Sequence, residues 1–316
     1  MPAKLRTTRS VLVPLDASPL AEQALPLAAE IARATRARLR LVLVHQSPSP
    51  PMDELTARLA TSIDLATRKA ERDYLRRIAA GLRGTLGRRV AGVTLAGPVA
   101  PTLIKYIGEI GADLVVMSTH GRGGVRRAWL GSVADQLVRS LELPVVLVPA
   151  DGVSAFLASP AEILVALDGS PLAEGVLEPA TVLARALGAR LGLLQVVTPV
   201  PLLADPPLPP SLEFDEDLTS LRRRQAQDYL DDLAERMRAE GLRAAASAVV
   251  GAPVAQTILD VARGEAVGML AVATHGRGGL RRMMLGSVAD KLVRGGDKPV
   301  LVVRPRPVSR RPRRRG

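Results

Sequence analysis

The run Thr119-His120-Gly121-Arg122-Gly123-Gly124 returns 155 residues later as Thr274-His275-Gly276-Arg277-Gly278-Gly279. Each copy continues through two arginines and a short apolar stretch into Gly-Ser-Val-Ala-Asp, at Gly131–Asp135 and Gly286–Asp290. Upstream, Val13-Pro14-Leu15-Asp16-Ala17-Ser18-Pro19-Leu20-Ala21-Glu22 is answered by Val165-Ala166-Leu167-Asp168-Gly169-Ser170-Pro171-Leu172-Ala173-Glu174, at an offset of 152. The second copy therefore carries three extra residues between these regions. They are expected in the proline-rich stretch Thr198 to Ser211, which is longer than its counterpart Ser47 to Pro51. A period this long marks duplicated domains and not a solenoid. The expected domains are 1–150 and 160–306, joined where small and turn residues replace periodic ones. A basic tail, 307–316, is expected to be disordered.

Around the repeated run each copy alternates short apolar stretches with amphipathic ones. In the first copy the pattern predicts strands at Ser10 to Leu15, Leu39 to His45, Val90 to Leu95, Leu114 to Ser118 and Val145 to Val148. Helices are expected over Pro19 to about Ala34, Asp53 to about Ala80, Pro98 to Ile110 and Ser132 to Arg139. The second copy repeats the order, with strands at Ile163 to Leu167, Leu191 to Val197, Ala244 to Val250, Met269 to Ala273 and Val300 to Val303. Its helices are expected over Pro171 to Leu187, Leu212 to Glu240, Pro253 to Arg263 and Ser287 to Arg294. Such alternation predicts an α/β fold with a parallel sheet covered on both faces. Right-handed crossovers make each copy a doubly wound domain, whose ligands sit beyond the carboxyl ends of the strands.

Composition narrows the function classes. Of the 316 residues none is Cys and three are His, which excludes disulfides and argues against a structural zinc. The apolar run after the basic N-terminus, Val11 to Leu15, is too short for a signal core, and no stretch has the length of a membrane span. A cytoplasmic protein is expected. Seven of the +12 net charges are arginines at positions 304, 306, 310, 311, 313, 314 and 315, so the basicity belongs largely to the tail. One Trp, three Tyr and two Phe are too few for a base-stacking platform.

Three features fall at expected strand ends: the acids Asp16 and Asp168, the glycine-rich loops, and the Gly131-Ser132 and Gly286-Ser287 helix starts. Together they suit a nucleotide. Gly121, Gly123 and Gly124 permit positive φ and close approach, and their N–H groups can line an anion cradle. A helix N-terminus behind the loop favours phosphate. Arg122, Arg126 and Arg127, with Arg277, Arg281 and Arg282, add positive charge. A carboxylate at the first strand end would repel phosphate and suits a ribose hydroxyl or a base. Neither copy holds G-x-x-x-x-G-K-[ST] or G-x-G-x-x-G.

As a set, these motifs resemble those of the universal stress protein family. Its nucleotide motif, G-x-x-G, nine residues, then G-[ST], is met from Gly121 to Ser132 and from Gly276 to Ser287. Its first glycine is Ser118 in one copy and Ala273 in the other. The resemblance covers all but the linker and tail. It implies a five-stranded parallel sheet per domain, ATP as ligand with or without Mg2+, and domains that pair through the last strand. Pairing within one chain and a homodimer are both open to it. The implied ligand contacts in the first copy are Pro14, Asp16, Val44, Ser118, His120, Gly121, Arg122, Gly124, Gly131, Ser132 and Val133. In the second they are Ala166, Asp168, Val196, Ala273, His275, Gly276, Arg277, Gly279, Gly286, Ser287 and Val288. Val44 and Val196 fall where the family lines the adenine.

Plainer readings stand beside these. Asp16 and Asp168 suit a turn or helix cap, and Ser132 and Ser287 suit a helix start. No Ser, Cys or Asp stands at a triad or metal spacing from His120 or His275, so loop ordering is expected of them. The leading function is an adenine-nucleotide-binding stress or signalling protein working by ligand-dependent association, with no catalytic residues. The alternatives are a slow ATPase or nucleotidyl-transfer enzyme, and a binder of nucleic acid or anionic surfaces through the tail.

Overall fold

The computed structural model describes residues 8–47, 54–119, 130–150, 162–202, 214–264, 266–274 and 285–305. The first half holds strands β1 (Ser10–Leu15), β2 (Arg38–His45), β3 (Val90–Ala96), β4 (Leu114–Ser118) and β5 (Val145–Val148). Its helices are α1 (Pro19–Glu22), α2 (Leu25–Thr35), α3 (Glu54–Leu86), α4 (Val99–Ile110) and α5 (Ser132–Ser140). The second half holds β6 (Glu162–Leu167), β7 (Arg190–Val197), β8 (Ala244–Val250), β9 (Val267–Ala273) and β10 (Val300–Val303). Its helices are α6 (Leu177–Leu187), α7 (Glu216–Ala239), α8 (Val254–Ala262) and α9 (Ser287–Gly295).

All ten strands form one sheet in the order β3-β2-β1-β4-β5-β10-β9-β6-β7-β8. Neighbours within each half run parallel. The halves meet through β5 and β10, which pair antiparallel with Leu301 opposite Val146. Successive residues of a strand point to opposite faces, so an all-apolar strand needs cover on both. Val11 and Val13 accordingly enter the core on the side of α2 and α3, while Leu12 enters the core beneath α4 and α5. Each core is continuous across the seam, and α2 packs on α6 there. A cleft of about 540 Å³ opens between the halves, bordered by Ile107 and Leu141 on one side and Pro179 and Val182 on the other.

The element order follows the sequence, and the departures have local causes. The helix expected from Pro19 breaks after Glu22, because Pro26 lacks an N–H and its ring would strike the Glu22 carbonyl. In the second half, Pro179 plays the same part: a 3-10 turn at Ala173–Val176 precedes α6. Helix α3 runs six residues past Ala80, through Gly81 and Gly84, because Leu86 is buried in the core. Helix α7 starts at Glu216 and not Leu212, because Asp215 caps it by accepting from Leu218 N at 2.7 Å. Where the second half has Gly251-Ala252-Pro253 the first has Gly97-Pro98; Gly97 takes φ +135°, and Ala252–Pro253 is a cis peptide.

Among the described residues, one anchor belongs to the first half alone. His45 ends β2 and is 1% exposed. Its Nδ1 lies 2.8 Å from Glu71 Oε2 and its Nε2 lies 2.7 Å from Asp64 Oδ1, both on α3. Each ring nitrogen thus meets one carboxylate, so the imidazole is held from both sides by the same helix. Arg68 Nε donates to Asp64 Oδ2 at 2.6 Å, and this guanidinium, with His45, holds the Asp64 carboxyl below the usual carboxylate range. At the corresponding places the second half has Val197, Ala226 and Thr219.

Two outcomes follow for stability. Leu301→Ala removes a fully buried side chain from the seam. It should cost about 2–5 kcal/mol in urea unfolding; a loss under about 1 kcal/mol would mean the seam is not tightly packed. His45→Val strands the buried Glu71 carboxylate and should cost about 3–5 kcal/mol. Adding Glu71→Ala recreates the apolar pair of the second half and should recover most of that loss. A double variant no more stable than the single one would refute the pairing.

Candidate functional site

In each half the first strand has the second on one side and the fourth on the other. The chain thus winds away in two directions, and the switch lies between the carboxyl ends of β1 and β4, or of β6 and β9. Asp16 leaves β1 at this point. Its Oδ1 accepts from Ser18 N at 2.9 Å, and Ser18 Oγ accepts from Ala21 N at 3.1 Å at the start of α1. Asp168 and Ser170 repeat the pattern at 2.9 and 3.2 Å. The residue between must turn left-handed: Ala17 has φ +64° and Gly169 φ +77°. Glycine adopts this conformation freely, whereas an alanine pays about 1–2 kcal/mol. The turn reading of the two acids is therefore realised, and it fixes the direction of each carboxylate.

Across the switch, Ser118 and Thr119 are buried at the end of β4. Thr119 N donates to Val148 O at 3.0 Å, and Gly131 N donates back to Thr119 O at 2.9 Å. Thr274 and Gly286 repeat this, with bonds of 2.8 and 2.8 Å. Each glycine-rich loop thus leaves and re-enters the fold at a single backbone hydrogen bond. The helix behind it starts at once, with Gly131 or Gly286 as N-cap and no side-chain cap. Ser132 and Ser287 stand exposed at the first helical position and do not cap. Among the described residues no side chain caps this start, which presents N–H groups and the positive end of the helix dipole to the same edge as the acid.

The flanking positions are apolar. Val44 and Val133 are half-buried against the core beneath α4 and α5, as are Val196 and Val288 in the second half. Pro14 is half-buried, and Ala166 and Ala273 are buried. His120, Gly121, Arg122 and Gly124, with His275, Gly276, Arg277 and Gly279, lie outside the described residues. Asp135 and Asp290, one turn into the helix, are each engaged by an arginine of the next turn. Arg139 Nε donates to Asp135 Oδ2 at 2.7 Å, and Arg294 Nε donates to Asp290 Oδ1 at 2.8 Å.

The structure adds residues that sequence patterning did not single out. Tyr229 of α7 donates to Glu174 Oε1 at 3.1 Å, and Tyr74 of α3 faces Glu22 in the same way without closing the bond. Burial, and then the neighbouring glutamate, push both phenols well above the ordinary tyrosine range. Asp16 and Asp168 contribute to the same field, so each tyrosine lies near its strand-end acid. The signal was present: Tyr74 and Tyr229 stand 155 apart, at the offset of the glycine loops. His45, beside Val44, gave no such signal, because the second half has no counterpart.

Known proteins place this architecture. The sequence matches the model of the universal stress protein family at residues 7–149 and again at 161–304. Universal stress protein Rv2005c of Mycobacterium tuberculosis is 31% identical over 209 residues, which is 65% of this chain and 65% of that protein. The chain thus matches just under two thirds of the length of this relative. Universal stress protein YxiE of Bacillus subtilis is 31% identical over 148 residues, 45% of this chain and 98% of that protein. The crystal structure of a universal stress protein from Archaeoglobus fulgidus superposes with a TM-score of 0.68 at 20% identity, covering 95% of this chain and 99% of that one. A functionally unknown protein from Pseudomonas aeruginosa gives 0.64 at 18%, covering 94% and 93%. At these identities the structural likeness is one of fold. With both halves matched by the family model, the chain belongs to the universal stress protein family.

Proposed function

We propose that the protein binds ATP at two sites, one at the carboxyl edge of each half, and acts in stress signalling through nucleotide-dependent association. One observation carries this reading. In both halves the same bond, Gly131 N to Thr119 O or Gly286 N to Thr274 O, sets an uncapped helix start beside a turn-fixed strand-end acid. The helix start and the glycine-rich loop suit phosphates. Asp16 and Asp168 suit a ribose hydroxyl, and Val44 and Val196 suit the flat face of the base. A magnesium ion would accompany the phosphates. Protein groups supply binding and orientation here. Asp135 and Asp290, the acids nearest the loops after the strand-end pair, are each held by an arginine of the next helical turn.

The sites differ where ligand and chain meet. The first has Pro14, Ala17 and Ser118 where the second has Ala166, Gly169 and Ala273. Their affinities should therefore be unequal.

Calorimetric titration with ATP should give two molecules bound per chain. Asp16→Ala should weaken one site about tenfold or more, worth about 1.4 kcal/mol, and leave the other unchanged. Asp168→Ala should do the converse. Absence of binding to the wild-type protein, with and without Mg2+, would overturn the reading. A stoichiometry of one would make the unaffected half scaffold.

A further inference from the structure

The sheet ends in two outer strands, β3 and β8. An outer strand presents unpaired N–H and C=O groups on its free side. In β8 that side is closed by side chains of α7. Ala248 N donates to Gln227 Oε1 at 2.8 Å, Gln227 Nε2 donates to Ala246 O at 3.4 Å, and Arg238 Nε donates to Ala244 O at 3.0 Å.

Among the described residues the first half lacks this closure. At the offset of Tyr74 and Tyr229, the places of Gln227 and Arg238 are held by Arg72 and Arg83 of α3. Neither makes a hydrogen bond or ion pair among the described residues. Gly97 N donates to His45 O, so the alternate residues Val90, Gly92 and Thr94 turn their backbone groups outward. Between this edge and α3 lies a groove of about 500 Å³, lined by Gly92 and Thr94 and by Arg68, Arg72, Arg76 and Arg83. Its floor is close-packed: a Cβ on Gly92 would come within 3.0 Å of Leu75 Cβ. The Thr94 hydroxyl is buried there with no hydrogen-bond partner. Arg68 is engaged by Asp64 and Arg76 by Asp73, which leaves Arg72 and Arg83 to face an incoming charge.

We propose that the free edge of β3 is the docking site for an acidic, extended segment of a partner protein, which adds to the sheet as a further strand. Main-chain bonds to Val90, Gly92 and Thr94 would give affinity, and alternate side chains would give specificity. Arg72 and Arg83 lie eleven residues apart on one helix, about 16 Å at ~1.5 Å per residue. Acids at alternate positions of a strand are about 6.6 Å apart, so three of them span nearly that distance. A nucleic acid would meet the same arginines but has no alternating donors and acceptors to match a strand edge. The groove therefore favours polypeptide.

The test uses the full chain and a fluorescein-labelled peptide, Thr-Glu-Val-Glu-Val-Glu-Val-Glu-Thr, followed by anisotropy. Saturable binding is expected. It should weaken about tenfold or more when the central residue is proline, which cannot donate to the ladder, or when lysine replaces glutamate. Arg72→Gln copies the closure of the second half and should weaken it as much, whereas Arg72→Lys should stay within about threefold. Hydrogen exchange should slow at Gly92 and Thr94 when peptide is bound. The proposal is overturned if the proline peptide binds as tightly as its parent. It is also overturned if an oligothymidylate of equal charge binds more tightly with exchange at Gly92 and Thr94 unchanged. A peptide-free dimer that Arg72→Gln dissolves would assign the edge to a second copy of the chain, which equally rejects it.

Discussion

The structure depends on the antiparallel pairing of β5 with β10. Both are four-residue strands, fully buried, composed of valine and leucine. Left at the rim of a five-stranded sheet, such a strand would expose apolar side chains and unpaired backbone together. Pairing the two removes both costs and makes the two cores continuous. It also fixes the relation of the sites. Strands run parallel within each half and reverse at the seam, so the carboxyl ends of the two halves point to opposite edges of the sheet. Among the described residues, the two candidate sites therefore lie at opposite ends of the strands, each on its own half.

On this common frame the copies have diverged where a charge must be placed. The first half fastens α3 to the end of β2 with His45, Asp64 and Glu71; the second fastens α7 with Val197 and Ala226. A buried charged cluster of this kind is seldom more stable than the apolar packing it replaces, though removing one member is costly. Its gain is directional: both ring nitrogens are satisfied in one position of the helix. The outer edges differ in the same sense, with Gln227 closing β8 and Arg72 leaving β3 open. Both differences lie on the helix after the second strand, which is the element that tells the halves apart.

The fold was legible because its signal repeats. Buried strands such as Leu114–Ser118 and Val145–Val148 are continuous apolar runs, and the duplicated order confirms each assignment by its twin. The departures came from single residues acting over one turn of helix or from contacts distant in sequence. Pro26 splits a helix whose apolar periodicity runs straight through the break. Gly81 and Gly84 are poor helix formers, yet burial of Leu86 carries α3 past them. At the site, Asp16, Ser118, Gly131 and Ser132 could be placed because each abuts a strand end or helix start. His45 could not, since its partners lie 19 and 26 residues away and its twin is a valine. Nor does anything local to Gln227 mark it as the cover of a strand about twenty residues further on.

In both halves the candidate site residues are set by backbone hydrogen bonds of the chain itself. The strand-end acids are held by their own turns, Asp16 by Ser18 N and Asp168 by Ser170 N. Such a hold favours binding, because a carboxylate fixed by its turn loses no further freedom when a hydroxyl arrives. The loop-closing bond acts likewise. With Gly131 tied to Thr119, the helix N-terminus is held at the edge by the protein's own backbone. A nucleotide at either edge would therefore meet a helix start already held in place, apart from the buried seam between the halves.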